Sequence, residues 1–203
     1  MVFVASGKFI YLLAGGLGGS VAAYIAFKVF THVQVRVQAW QDPWSVIDST
    51  GYQITQSLFA ISSGGLFGLG LFKGTPDSIP FVEADFVFSA IAEELGILFA
   101  VCLILICVSC FVMFMNISVR LNDKFYQLVS FGLGVTYIFQ VFLTIGGGTK
   151  FIPLTGVTLP FISYGGSSVL TTLNKITITE GLYMIREDEA DALRQKKKKE
   201  KKK

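Results

Sequence analysis

Three carboxylates and one irregular, hydroxyl-rich stretch hold the chemical possibilities of this sequence. Asp85 opens the longest apolar run, which ends near Met115, and Glu93 and Glu94 lie about two to three turns inside it. An ionisable side chain at that depth is expensive in an apolar segment, so it faces a bundle interior or a watery cavity. Low-dielectric surroundings and neighbouring acids raise a carboxyl pKa, which suits proton transfer near neutral pH. The second feature is Leu154-Thr-Gly-Val-Thr-Leu-Pro-Phe-Ile-Ser-Tyr-Gly-Gly-Ser-Ser168, which sets hydroxyl side chains, Pro160 and the pair Gly165-Gly166 between two apolar segments. Backbone this irregular leaves N–H and C=O groups that lipid cannot satisfy, so it lines protein or water. A plainer role stands beside the first of these, because a carboxylate at a helix start such as Asp85 also complements the macrodipole.

The elements that must position these groups are membrane helices. The 203 residues are 52% hydrophobic and 15% charged, with 19 Phe and 21 Gly, a membrane composition rather than a soluble core. A spanning helix needs about 20 mostly apolar residues. Five segments qualify by length: about 9–30, 51–72, 85–115, 125–145 and 161–185. The fold class expected is therefore an all-α polytopic membrane protein with about five transmembrane helices. The second segment carries Gln53, Gln56 and several hydroxyls before Gly64-Gly65, which places it inside a bundle against a polar cavity. Residues 73–84, with Pro76 and Pro80, read as a loop. Gly146-Gly-Gly148 reads as a flexible helix exit, and Gly15 and Gly19 as a helix-packing pair. Cys102, Cys107 and Cys110 share one apolar run, where they behave as small apolar residues rather than as a disulfide framework. The first residues lack the basic region and cleavage site of a signal peptide.

The net charge of +3 comes from seven lysines in the last eight residues; without them the chain is acidic. Residues 186–203 read as a charged, disordered, solvated tail that touches anionic lipid beside a membrane. Five spans put this tail on one side with the 31–50 and 116–124 connections. That side holds Lys28, Arg36, Arg120, Lys124, Arg186, Arg194 and the tail lysines, against Lys8, Lys73 and Lys150 on the other. The basic side is the cytoplasmic one, so Asp85 and Gly146–Lys150 are expected at the outer face.

Three blocks carry a family resemblance, in order and at suitable spacing. Gly51-Tyr-Gln-Ile-Thr-Gln-Ser57 with Gly64, Gly65 and Gly68, Pro80 through Asp85 to Glu93-Glu94-Leu-Gly96, and Pro153 through Ser168 closely resemble the C-terminal half of the SEDS family, the FtsW/RodA/SpoVE group. The resemblance covers nearly everything but the lysine tail, in residues 1–185. It implies half of a ten-helix bundle in the bacterial cytoplasmic membrane, with the C-terminus cytoplasmic. It also implies a peptidoglycan glycosyltransferase acting in cell shape or division. The substrate would be lipid II, a disaccharide unit on undecaprenyl pyrophosphate, and the partner a class B penicillin-binding protein; no nucleic acid is involved. The family's essential carboxylate falls on Asp85, with the implied role of general base. Gln56, Glu94, Ser163, Gly165 and Gly166 follow as groups for sugar or pyrophosphate, although Gln56, Glu94 and Ser163 also suit interhelical hydrogen bonds. No metal cluster is evident in the sequence; the resemblance suggests a divalent cation such as Mg2+ near the pyrophosphate.

The chain departs from the family in several places. Glu83-Ala84 stands where many members have His-Thr, Thr144 where an asparagine is usual, Lys150-Phe151 beside the proline block, and Lys175 in the last span. The first-half Lys-Pro-Asp-Leu-Gly type motif is absent, and five spans stand against ten. The expectation is an N-truncated copy, whether a natural fragment, a split product or a mis-called start, that is inactive until the other half is supplied. Two other function classes fit the same residues. A lipid II flippase or transporter would centre its relay on Glu93 and Glu94, and a non-catalytic scaffold would only dock the penicillin-binding protein.

Overall fold

Every regular element among the described residues is helical. The computed structural model describes residues 2–200. In chain order the helices are α1 (Val2–Ser6), α2 (Ile10–Val29), α3 (Thr31–Gln41), α4 (Tyr52–Gly64), α5 (Val87–Arg120), α6 (Lys124–Gly148) and α7 (Gly166–Glu200), with one 3-10 turn at Pro76–Ser78. The expected all-α membrane architecture is the one the chain adopts. Helices α2, α5 and α6 are long and apolar enough to cross a bilayer. Helix α7 is longer still but carries Asn174, Lys175 and Glu180. Its length crosses the bundle all the same, because Gly166 starts beside the signature loop while Leu182 packs on Ile117 and Leu121 at the far end of α5.

The segment expected to span at 51–72 does not do so. Helix α4 stops after 13 residues at Gly64, Gly65 takes φ 54, and the chain turns back toward Asp85. A 13-residue helix is about 20 Å long, short of the ~30 Å hydrocarbon core. The turn is possible because α5 is broken at the same level, where Gly96 leaves the helix at φ 84 and ψ 169. The broken helix frees backbone groups that the returning chain satisfies. Leu69 N–H and Gly70 N–H donate to the Glu93 and Glu94 carbonyls at 2.9 Å each, and Ile97 N–H donates to the Gly65 carbonyl at 2.9 Å. Irregular backbone at membrane depth is thus paired against protein.

The re-entrant α4 changes the sidedness of the first connection. Residues 31–50 lie at the Asp85 end rather than with the tail. Arg36 Nη1 donates to the Leu154 carbonyl at 3.2 Å, and Trp40 Nε1 donates to the Lys150 carbonyl at 3.1 Å. At the opposite end, Val4 and Ala5 of α1 line a hollow with Val119 and Lys124.

The α5–α6 pair is the centre of the fold. Cys107, Phe114, Tyr137 and Val141 pack between them, and Leu159 from the signature loop, 0% exposed, fills the same cluster. That side chain is one anchor of the irregular stretch on the bundle. Gly146–Gly148 is not a flexible exit: all three glycines are buried and helical. Their missing side chains let Ile152, Leu154 and the serines of α4 and α5 close in. Backbone of α7 runs on as helix to Glu200, so the stretch from Arg186, expected as a disordered tail, is helical to that residue. Its Glu, Ala, Leu, Arg, Gln and Lys content is strongly helix-favouring. The last three lysines of that expected tail lie outside the described residues.

Candidate functional site

Asp85 lies in the loop just before α5, half-buried, where three pieces of chain meet. Gly156 of the signature loop faces its carboxylate: a Cβ there would lie 3.5 Å from Asp85 Oδ2 and 4.0 Å from Arg36 Nη2. Gly156 itself takes φ 72, so the backbone shape calls for glycine, while a Cβ there would make only ordinary contact with the pair. Arg36 reaches in from α3 with its other guanidinium nitrogen held on the Leu154 carbonyl. Burial pushes the Asp85 carboxyl above its ordinary range, and the Arg36 guanidinium pulls it part of the way back. Tyr164 N–H donates to the Glu83 carbonyl at 2.7 Å, which ties the signature loop to the residue two before Asp85. The arrangement is a carboxyl primed to take a proton, beside a fixed cation that can meet negative charge.

The remaining residues singled out from sequence fall into two other places. Gln56 borders a polar cavity between α4 and the returning chain, together with Glu93 rather than Glu94. Glu94 turns away and accepts the Phe72 N–H on Oε1 at 3.0 Å. Ser163 is buried, with its Oγ accepting the Leu159 N–H at 2.8 Å. With Gly165 and Gly166 it borders an open, mostly apolar groove of about 460 Å3 that continues along Val169, Leu170 and Leu173. Asp85, the Gln56 cavity and the Ser163 groove are thus three neighbouring features of one end of the bundle, joined by the signature loop and the return loop. Arg36 was not singled out, since charge counting put it on the other side. The signal that could have found it is its place in a helix just before the Gly51 block, 118 residues from the carbonyl it binds.

Among the described residues no three His, Cys, Asp or Glu side chains converge, and the group facing Asp85 is itself a cation.

Comparison with known proteins decides the lineage. The family described as cell cycle protein, FtsW/RodA/SpoVE, matches over residues 1–187. The chain belongs to that family. Among curated relatives, the peptidoglycan glycosyltransferase RodA of Mycobacterium tuberculosis is 39% identical over 170 residues, covering 84% of this chain and 36% of that protein. The probable peptidoglycan glycosyltransferase FtsW of Bacillus subtilis is 37% identical over 160 residues, covering 77% and 40%. A solved chain described under "Structural coordination of polymerization and crosslinking by a peptidoglycan synthase complex" superposes with TM-score 0.70 at 25% identity, covering 91% of this chain and 52% of that one. This FtsW/RodA/SpoVE member therefore spans less than half the length of those curated relatives and about half of the solved chain.

Proposed function

We propose that this chain forms the catalytic outer end of a peptidoglycan glycosyltransferase that polymerises lipid II, with Asp85 as general base. The observation that carries this is the half-buried Asp85 carboxyl, raised by burial and faced by Arg36. In the reaction, Asp85 takes the proton of the attacking sugar hydroxyl, whose oxygen bonds to the anomeric carbon of a second lipid-linked sugar. The bond from that carbon to the pyrophosphate oxygen breaks, and the pyrophosphate leaves with the electron pair. Arg36 stands where a guanidinium offsets the charge of the departing phosphates. Gln56 serves the sugars, and the groove at Ser163, Gly165 and Gly166 serves the lipid-linked end. Glu94 serves by fixing the return loop.

A transport reading needs Glu93 and Glu94 as a free relay. Glu94 instead holds Phe72 N–H at 3.0 Å, and Glu93 holds Thr75 N–H at 3.1 Å by one oxygen while its other meets no donor, so the two form no connected relay, which favours the transferase. The partner is a class B penicillin-binding protein, in keeping with the synthase complex in which the structural neighbour occurs. The membrane is the bacterial cytoplasmic one, with the C-terminus inside. Lys8, Arg120, Lys124 and Arg186 lie at the end opposite Asp85, from which the α7 backbone continues to Glu200 through a lysine-rich sequence, against Lys28, Arg36, Lys73 and Lys150 at the Asp85 end.

The test is polymerisation of labelled lipid II by the chain purified with the partner and a separately expressed N-terminal half. Glycan strands that vanish with Asp85→Asn support the reading. Strands that persist with Asp85→Asn remove Asp85 as base, and an intact assembly that makes none favours the scaffold.

A further inference from the structure

Arg36 and Trp40 stand four residues apart on α3, so they lie one turn from each other on the same face, and Ala39 beside them is 3% exposed. Each donates to a backbone carbonyl, and the two acceptors, Leu154 and Lys150, are themselves four residues apart. Those acceptors bracket the passage from the end of α6 into the signature loop. Helix α3 is thus fixed at two points along one line of chain. It gains little hold from α2, to which it is joined, because α2 buries no residue.

The Lys150 end of this clamp is a defined cap. Lys150 N–H donates to the Gly147 carbonyl at 3.3 Å and Phe151 N–H to the Gly146 carbonyl at 2.8 Å, the paired bonds that close a helix C-terminus around a left-handed residue. Glycine is the usual occupant of that position, and here it is a lysine at φ 60. The Lys150 carbonyl has left the α6 ladder, and the Trp40 indole N–H meets it at 3.1 Å. The two contacts differ in stiffness. The Arg36 side chain is exposed, long and flexible, and it can follow a rolling helix, whereas the rigid, partly buried indole cannot.

We propose that Trp40 is a positioning residue for the Asp85–Arg36 pair: its N–H on the Lys150 carbonyl sets the roll of α3, and with it the place of the Arg36 guanidinium beside the carboxylate. The proposal rests on the glycosyltransferase reading and extends it to a residue outside the three family-like blocks. Of the elements packed around Asp85, α3 supplies Arg36, the signature loop supplies the uncharged Gly156, and the loop before α5 supplies Glu83, whose carbonyl is held by Tyr164 N–H. Arg36 is the charge that acts on the Asp85 carboxyl, so a guanidinium that drifts away lowers it less.

The experiment compares Trp40→Phe, which keeps a ring and loses the N–H, with Arg36→Gln in the assembled polymerase. Trp40→Phe is expected to lower kcat about tenfold with KM within about twofold. It should also move the acidic limb of the rate profile to higher pH, in the direction of Arg36→Gln and less far. In the Arg36→Gln background it should move the limb no further, because the group it positions is gone. A purely structural tryptophan would lower the unfolding temperature and leave the limb in place, and that result overturns the proposal. Infrared difference titration of the Asp85 carboxyl, assigned with Asp85→Asn, reads the same shift without turnover. If Asp85→Asn still polymerises while that titration moves with Trp40→Phe, the general-base reading falls and the positioning stands. If Asp85→Asn is inactive and Trp40→Phe moves neither limb nor titration, the positioning falls alone. Where Trp40→Phe does not fold, 3-benzothienylalanine at position 40 decides, since this sulfur isostere of tryptophan lacks only the N–H.

Discussion

Gly68 and Gly96 cross backbone to backbone with no side chain between them. A Cβ on Gly68 would overlap the Glu94 carbonyl and lie 2.6 Å from Gly96 N, and one on Gly96 would overlap Gly68 N and the Phe67 backbone. Both glycines also take positive φ, 78 and 84. The break in α5 and the turn of the re-entrant chain are therefore one structure, in which each supplies the hydrogen bonds that the other lost.

That dependence sets the first prediction. Gly68→Ala or Gly96→Ala combines a forbidden φ with backbone overlap, and either is expected to cost more than about 3 kcal/mol. Gly65→Ala is the comparison, since Gly65 also takes a glycine-only backbone, φ 54 and ψ −147, but has nothing within 4 Å of its Cβ position; it should cost about 1–3 kcal/mol, from the backbone alone. Thermal unfolding in detergent, followed by loss of monodisperse protein, ranks the three. Equal midpoints for Gly65→Ala and Gly96→Ala would separate the crossing from stability.

The second prediction concerns pH. The Asp85 carboxyl is raised by burial and lowered by Arg36, and a general base works only when ionised. Activity should therefore rise with pH through the raised pKa of Asp85. Arg36→Gln removes the lowering influence, so the carboxyl rises further and the acidic limb of the rate profile moves to higher pH. Arg36→Lys keeps the charge and should leave the limb near its original position, whatever it does to the plateau. A limb that stays put in Arg36→Gln would mean that some other group titrates.

How much of this was written in the sequence depends on the range of the signal. Helices α2, α5 and α6 were legible because a long apolar run has few other uses, and the block around Asp85 marked it as a candidate, which the fold sets beside Gly156 and Arg36. The return after Gly64 was not, because 22 residues of moderate apolarity read as a span by length alone. The glycines at 64, 65, 68 and 70 signalled a turn only in company with the break at Gly96, which lies in a different segment. Glu93 and Glu94 are adjacent and chemically alike, but about 100° apart around the helix. Only the path of the return loop decides which of them borders the cavity. The side on which Arg36 lies followed from that same misread span, since adding one crossing inverts everything before it.

The third prediction tests the joint of α4, α5 and α6. Ser57 Oγ donates to the Gly148 carbonyl at 2.7 Å, so its proton is committed and the 2.6 Å contact with Ser89 must be donated by Ser89. Both serines are 0% exposed. Ser57→Ala strands a carbonyl and a hydroxyl together and should destabilise by about 2–3 kcal/mol, whereas Ser89→Ala removes one donor and should cost about 1 kcal/mol. The double variant should cost less than the sum, because Ser89 no longer has a stranded hydroxyl. Additive losses in detergent unfolding would show that the chain of hydrogen bonds is not shared.

The fourth prediction sets Lys175 against Gln140. Gln140 Nε2 donates to the Thr158 carbonyl at 3.0 Å and to Ser168 Oγ at 3.3 Å, while its Oε1 accepts from Lys175 Nζ at 3.1 Å. The amide thus ties the signature loop to α6 and α7, and the lysine is the outermost member of the set. No carboxylate pairs with Lys175 among the described residues, so its partial burial in α7 is set against one amide contact. Lys175→Met should leave stability unchanged or raise it, because Gln140 keeps both of its donors in place. Gln140→Leu should lower it by about 2 kcal/mol or more, since the Thr158 carbonyl and the Lys175 ammonium lose their partner together. Adding Lys175→Met to Gln140→Leu should restore part of that loss by removing the stranded charge. Thermal unfolding of the three variants checks the order, and a Lys175→Met protein less stable than Gln140→Leu would show that the ammonium, not the amide, holds the loop.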